Sequence, residues 1–191
     1  MFTLYTGPMW SGKTSEVIRE LSILEVLGKK CMMIKHKLDT NRYNQKLVSS
    51  HGTKSKARIE WTGETMVVER LEDVVIDGHM VIGIDELQFY SDSVEYVNLW
   101  VDQGILVYGA MLDSTWQCKP FGRIGELHAM SDKCIKLRGR CNCGKRSSFT
   151  VNILPLDQRT EIAEGAEEKY KSVCRKCRDK HNQLYSLSSS V

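Results

Sequence analysis

Residues Gly7-Pro8-Met9-Trp10-Ser11-Gly12-Lys13-Thr14 fit the phosphate-binding pattern G-x-x-x-x-G-K-S/T and follow a short apolar run over 2–5. Gly7 and Gly12 let the backbone curl so that its N–H groups point inward, and the helix that follows offers its positive end to phosphate oxygens. In such a loop Lys13 reaches the β- and γ-phosphates and Thr14 ligates Mg²⁺. An ordinary Gly-rich turn is the competing reading, and the flanks argue against it. Residues 16–27 place Val17, Ile18, Leu21 and Leu24 at helical spacing, with Glu16, Arg19, Glu20 and Glu25 on the other side and Gly28 as a stop.

Working outward, 31–34 reads as a strand feeding a long polar loop over 35–56, 66–68 as a short strand and 71–75 as part of a helix. Residues 80–84 form a continuous apolar run ended by Asp85-Glu86, the pattern of a buried parallel strand with acids at its tip. A helix over 91–102, a strand over 105–108 and a loop with Trp116, Pro120, Phe121 and Gly122 follow. Alternating strands and helices predict an α/β fold, a P-loop NTPase-like parallel sheet covered by helices. Such sheets bind ligands at the carboxyl ends of their strands, where 7–14, Asp85-Glu86 and the segment from Leu112 onward would converge.

An apolar strand ending in Asp downstream of a P-loop is where NTPases hold Mg²⁺ from its second side, so Asp85 takes that role. Glu86 is the candidate to orient or deprotonate an acceptor, because neighbouring residues at a strand end diverge. The competing reading is a solvated strand end.

The chain has 191 residues, 41% of them apolar and 27% charged, with a net charge of +3, so one main domain with a proper core and a small appendage is expected. That charge does not announce a nucleic-acid binder. The longest apolar candidate, 74–84, is interrupted by Asp77 and His79, and no signal peptide precedes the first strand, which predicts a cytosolic protein without a membrane partner. Of seven cysteines, four fall in two close pairs, Cys141-x-Cys143 and Cys174-x-x-Cys177. Four thiolates in a reducing compartment suit structural Zn²⁺, with no open position for catalysis and about 10 kcal/mol available to order a small lobe. Cys31, Cys118 and Cys134 are expected to fill core space. The expected units are a nucleotide-binding domain over 1–138, a zinc-binding lobe over 139–180 and a disordered tail over 181–191.

Together the P-loop, residues 81–90 (Val-Ile-Gly-Ile-Asp-Glu-Leu-Gln-Phe-Tyr), residues 112–122 (Leu-Asp-Ser-Thr-Trp-Gln-Cys-Lys-Pro-Phe-Gly) and the cysteine pairs enclosing Gly165 and Tyr170 closely resemble type II thymidine kinases, from about residue 2 to residue 180. The resemblance implies transfer of the γ-phosphoryl group of ATP to the 5′-hydroxyl of thymidine, with Mg²⁺ and a structural Zn²⁺. By position, it implies Glu86 as catalytic base, Asp85 and Thr14 at Mg²⁺, and Lys13 with the P-loop amides on phosphate. Asp39 and Arg42 resemble an Asp-x-Arg element that approaches the phosphates, with two residues between them where one is usual. Phe89, Leu112, Trp116 and Phe121 would wall the base, Thr150 would sit near its 5-methyl group, Tyr170 on the nucleoside, and backbone near Ala163 would pair with the base edge. A homotetramer inhibited by dTTP is implied as well.

The chain departs from the family in its Cys-x-Cys spacing, in Leu87 where Gly is common, in Trp10 and Trp116 where Phe is frequent, and in a longer segment over 59–66. Two other functions are compatible with parts of the sequence. A P-loop ATPase acting on nucleic acid would use Glu86 to activate water. A zinc-bearing nucleic-acid module would use the basic excess over 131–180, 13 Lys or Arg against 7 Asp or Glu.

Overall fold

The computed structural model describes residues 1–39, 48–49, 59–155, 158 and 169–188. The sheet is wholly parallel, formed by β1 (Phe2–Gly7), β2 (Cys31–His36), β3 (Glu64–Val68), β4 (Val81–Ile84), β5 (Leu106–Leu112) and β6 (Lys133–Lys136). Their order is β3-β2-β4-β5-β1-β6. Four helices accompany it among the described residues: α1 (Lys13–Val26), α2 (Ser93–Asp102), α3 (Ile124–Met130) and α4 (Arg175–Ser188).

Period-two alternation splits the strand residues between two cores. Phe2, Leu4, Met32, Ile34, Ile82 and Ile84 pack on one face with Val97 and Trp100 of α2 and Leu127 of α3. Tyr5, Met33, Val81 and Tyr108 pack on the other with Val17, Ile18 and Leu21 of α1. Every residue of β1, β2 and β4 is buried, including the polar Thr3, Thr6, Lys35 and His36, as strands of a parallel sheet covered on both faces require. The expected α/β class is therefore the one that forms.

β5 lies between β1 and β4, so the P-loop strand and the acid-tipped strand are not neighbours. Register still brings their ends to one edge: Gly7 pairs with Leu112, and Ile84 with Gly109. Leu87, standing where Gly is common, is fully buried because Gly109 makes room for it; a Cβ on Gly109 would lie 2.7 Å from Leu87 Cδ2.

Several boundaries move from the sequence expectation. α1 begins at Lys13, three residues early, and ends where Gly28 turns left-handed at φ 79°. The helix expected over 71–75 is one 3-10 turn, Leu71–Asp73, after which Val74 is extended at ψ 122°. There the Glu72 N–H is taken by Asp92 Oδ2 at 3.0 Å, and the β-branched run Val74, Val75, Ile76 disfavours a helix. The last central strand runs on to Leu112. In the region expected as a loop, β2 continues to His36, a 3-10 turn spans Lys37–Asp39, and Val48–Ser49 pairs antiparallel with Glu60–Trp61.

Past β6, two small antiparallel pairs form, Gly139–Arg140 with Arg146–Ser147 and Phe149–Asn152 with Tyr170–Val173, and α4 packs on the second. α4 runs on to Ser188, through most of the segment expected as a tail. His181 Nε2 lies 3.0 Å from the Asn152 carbonyl, and Arg178 stacks 4.3 Å above the Phe149 ring, which ties the helix to that pair. All seven cysteines are free thiols; Cys31 is buried and Cys134 half-buried. Cys118 is exposed rather than in the core, because it occupies a tight turn with φ 62°. Among the described residues no helix is long and apolar enough to cross a membrane.

Candidate active site

The turn after β1 depends on Gly7, whose φ is 141° and whose Cβ, if it had one, would lie 2.5 Å from the Leu137 carbonyl oxygen. Gly12, left-handed at φ 88°, ends the loop and caps α1. The loop thus curls back on itself before the helix starts, leaving the first-turn N–H groups of α1 directed into the concavity. Ser11 Oγ is buried there with no hydrogen-bond partner among the described residues, an orphan donor of the kind a phosphate oxygen satisfies. The Met9 N–H is engaged from outside the loop: it donates to Thr150 Oγ1 at 3.1 Å.

Lys13 Nζ donates to the Pro8 carbonyl at 2.9 Å. Burial pushes this ammonium below its usual lysine value, and the charges of Glu86, Asp85 and Asp113 pull it back up. An ammonium buried in this concavity and bonded to a neutral carbonyl can exchange that partner for an anionic oxygen. Beside it, Thr14 Oγ1 donates to Asp85 Oδ1 at 2.9 Å. The same Oδ1 accepts the Glu86 N–H at 3.1 Å, and the Asp85 N–H donates to the Ile34 carbonyl at 3.0 Å, which fixes the tip of β4 against β2. A hydroxyl and a buried carboxylate sharing one small volume form an all-oxygen donor set, the kind Mg²⁺ takes.

Glu86 is half-buried and left-handed, at φ 50° and ψ 44°. Few non-glycine residues sit there, and such outliers cost about 1–3 kcal/mol. Its carboxylate accepts from Gln88 Nε2, while Gln88 Oε1 accepts the Leu112 N–H at 3.0 Å. The 3-10 turn Leu87–Phe89 then aims Phe89 at Phe121, edge to face, with centroids 5.8 Å apart. His36 at the end of β2 packs 5.6 Å from Phe89 and 4.7 Å from Tyr90. Leu112 and Trp116 are half-buried on the segment leaving β5, whose turn is closed by the Thr115 N–H to Lys119 carbonyl bond.

Lys13, Thr14, Asp85 and Glu86 are therefore brought together, and Phe89 meets Phe121. Thr150 is buried against the P-loop at Met9, and Tyr170 is buried in register with Asn152. Asp39 closes the turn after β2. Arg42 and Ala163 lie outside the described residues. Sequence reasoning missed the buried Gln88 side chain between Glu86 and Leu112 and the bond from Met9 to Thr150. Gln88 lies inside the Asp-Glu-Leu-Gln-Phe stretch, but no spacing rule marks it out.

The four Sγ atoms of Cys141, Cys143, Cys174 and Cys177 all lie within 4.8 Å of one another, and those of Cys143 and Cys174 are 3.6 Å apart. Tetrahedral thiolates on Zn²⁺ at about 2.3 Å stand roughly 3.8 Å apart, so this donor set fits the ion. The one-residue spacing is accommodated by a tight turn in which the Gly144 N–H donates to the Cys141 carbonyl at 2.8 Å. Burial alone would raise the Cys141 thiol, but the N–H groups of Cys143 and Cys174 and the neighbouring thiols outweigh it and bring it down to about 6. Hydrogen bonds from Cys143, Cys141 and Cys174 push the Cys177 thiol up to about 12.

A protein-family model described as thymidine kinase matches residues 1–178. The thymidine kinase of vaccinia virus (strain Western Reserve) is 39% identical over 176 residues, covering 91% of this chain and 94% of that protein. The monkeypox virus thymidine kinase is 39% identical, and that of raccoon poxvirus 38%, each over 175 residues with the same coverage.

Proposed function

This chain belongs to the thymidine kinase family, and from that membership we infer that it transfers the γ-phosphoryl group of ATP to the 5′-hydroxyl of thymidine, giving dTMP and ADP. The observation that carries the reading is the Thr14–Asp85 hydrogen bond of 2.9 Å, which sets the phosphate cradle against the acidic strand tip, with Glu86 next to it.

In this reading the loop 7–14, through the amides of residues 10–14, and the Lys13 ammonium hold the β- and γ-phosphates, Lys13 exchanging the Pro8 carbonyl for phosphate oxygen. Asp39 and Arg42 approach the same phosphates. Thr14 and Asp85 hold Mg²⁺, which when bound offsets the negative charge of the phosphates. Glu86 accepts the 5′-hydroxyl proton as that oxygen bonds to the γ-phosphorus and the β–γ bridge breaks. An aliphatic hydroxyl is far less acidic than a glutamate, so the proton moves late and most acceleration comes from alignment and charge neutralisation. Phe89, Leu112, Trp116 and Phe121 wall the thymine, with Thr150 toward its methyl, Tyr170 on the nucleoside and backbone near Ala163 on the base edge.

Residues 1–138 hold the nucleotide and wall the thymine, and 139–180 form a lobe that grips the nucleoside, this second unit ordered by Zn²⁺ on its four thiolates. Self-association into a tetramer has an apolar face to use on α1, where Ile23, Val26 and Leu27 are exposed together. Inhibition by dTTP follows from chemistry, since one molecule carries both the triphosphate and the base for which this site is built. Seven free thiols suit the cytosol.

The test is ADP release measured with and without thymidine, and with and without DNA. Turnover that requires thymidine supports the kinase; turnover that responds to DNA alone, or DNA binding with no turnover, overturns it.

A further inference from the structure

We propose that Gln88 is a positioning residue that holds the Glu86 carboxylate and the acceptor pocket in a single frame through the two ends of one amide, an inference that rests on Glu86 being the base. Gln88 is buried, at 5% exposure. The Leu112 backbone N–H can only donate, so the amide must present Oε1 to it, at 3.0 Å. That choice leaves Nε2 facing Glu86 Oε2, and an amide NH₂ can only donate. The backbone of β5 therefore decides the polarity of the contact at the base.

Glu86 needs such a partner. It stands on a left-handed backbone between β4 and the turn Leu87–Phe89, and Asp85 holds only its main-chain N–H. Without Gln88 the carboxylate would be free to sample several rotamers, at the expense of in-line geometry. Gln88 is itself fixed at both flanks, because the Phe89 N–H donates to the Glu86 carbonyl at 3.0 Å and Leu87 is fully buried. Leu112 is both the last residue of β5 and a wall of the thymine pocket. The amide thus sets the separation between the group that meets the 5′-hydroxyl and the surface that meets the base, at the two ends of one nucleoside.

Gln88→Glu and Gln88→Met separate the two ends. Glutamate keeps the shape and the acceptor for Leu112 but sets an acceptor against Glu86; methionine removes both bonds. Gln88→Glu should lower kcat by roughly 10–10²-fold with thymidine KM within about twofold of wild type. Gln88→Met should lower kcat similarly and raise thymidine KM about fivefold, with ATP KM unchanged in both. A purely structural role would leave Gln88→Glu near normal, and kcat within about twofold of wild type there overturns the proposal.

Glu86→Gln is measured alongside. Normal turnover in Glu86→Gln defeats the assignment of the base; an inert Glu86→Gln with a normal Gln88→Glu defeats only the role of Gln88. Should both Gln88 variants fail to fold, the wild-type protein decides: slow solvent exchange of the Gln88 side-chain amide protons by ¹⁵N NMR, lost in Glu86→Ala where no acceptor is left, supports the proposal, and fast exchange in wild type overturns it.

Discussion

Thr14 and Asp85, 71 positions apart in the chain, share a hydrogen bond of 2.9 Å across the carboxyl edge of the sheet. The bond spans from the start of α1 to the tip of β4 although another strand separates β1 from β4. Replacing Thr14 by Val should reduce kcat about 10²-fold, because both the hydroxyl ligand and the donor to Asp85 go, while Thr14→Ser should stay within a few-fold. Steady-state kinetics on the two variants decide it, and equal activities would contradict the role of the hydroxyl.

Glu86→Gln keeps the shape of the side chain and removes its basicity. Turnover should fall by roughly 10²–10⁴-fold with ATP affinity little changed. Single-turnover phosphoryl transfer together with a nucleotide titration makes the comparison; near-normal transfer rules Glu86 out as base.

Lys13 is pushed below its ordinary value of 10.5 by burial. The folded protein therefore binds that proton less tightly than the unfolded chain, and the sign follows: the cost of the buried charge is fully present below the lowered folded value and relieved as pH rises toward 10.5. Lys13→Met should abolish catalysis yet melt no lower than wild type without nucleotide. Any gain in its melting temperature should shrink as pH climbs through that window, and a large loss of stability at neutral pH would show that the ammonium is well paired in the free enzyme.

Cys177→Ser removes one of four convergent thiolates. Bound zinc, read by elemental analysis, should fall below one per chain, and, if the segment between the cysteine pairs grips the nucleoside as proposed, thymidine KM should rise more than ATP KM, because the converging thiolates tie both ends of that segment together. Full zinc content with unchanged thymidine KM would separate the metal from nucleoside binding.

Thr150→Val strips the acceptor from the buried Met9 N–H at nearly constant volume. A buried donor left unsatisfied costs about 1–3 kcal/mol, which denaturant unfolding measures. Thr150→Ser, retaining the hydroxyl, should recover most of that loss, and two equally stable variants would mean that water replaces the bond.

The elements that carry this site were legible wherever local pattern alone specifies them. The P-loop needs its glycines, and 81–84 is a buried strand because nothing polar interrupts it. The order of the strands was not legible, because Val107 and Ile82 have the same apolar character whichever neighbour they take. Leu71 to Val75 looked helical until Asp92, twenty residues on, took the Glu72 N–H. α4 runs past 181 on the strength of His181 against Asn152, a contact between residues 29 apart. Gln88 was in plain view, but its meaning depends on Leu112, and only the folded chain sets those two side by side.

The position of β5 between β1 and β4 has a further consequence. Strands in a sheet lie about 4.8 Å apart, so the backbones of β1 and β4 run roughly two spacings, about 10 Å, from each other, and the Thr14 and Asp85 side chains close that interval. That interval is a property of chain topology and no point substitution can change it. Sequence drift in this lineage can therefore re-line the cleft and alter which nucleosides it admits, while the spacing of the two strands that carry its opposite sides stays constant.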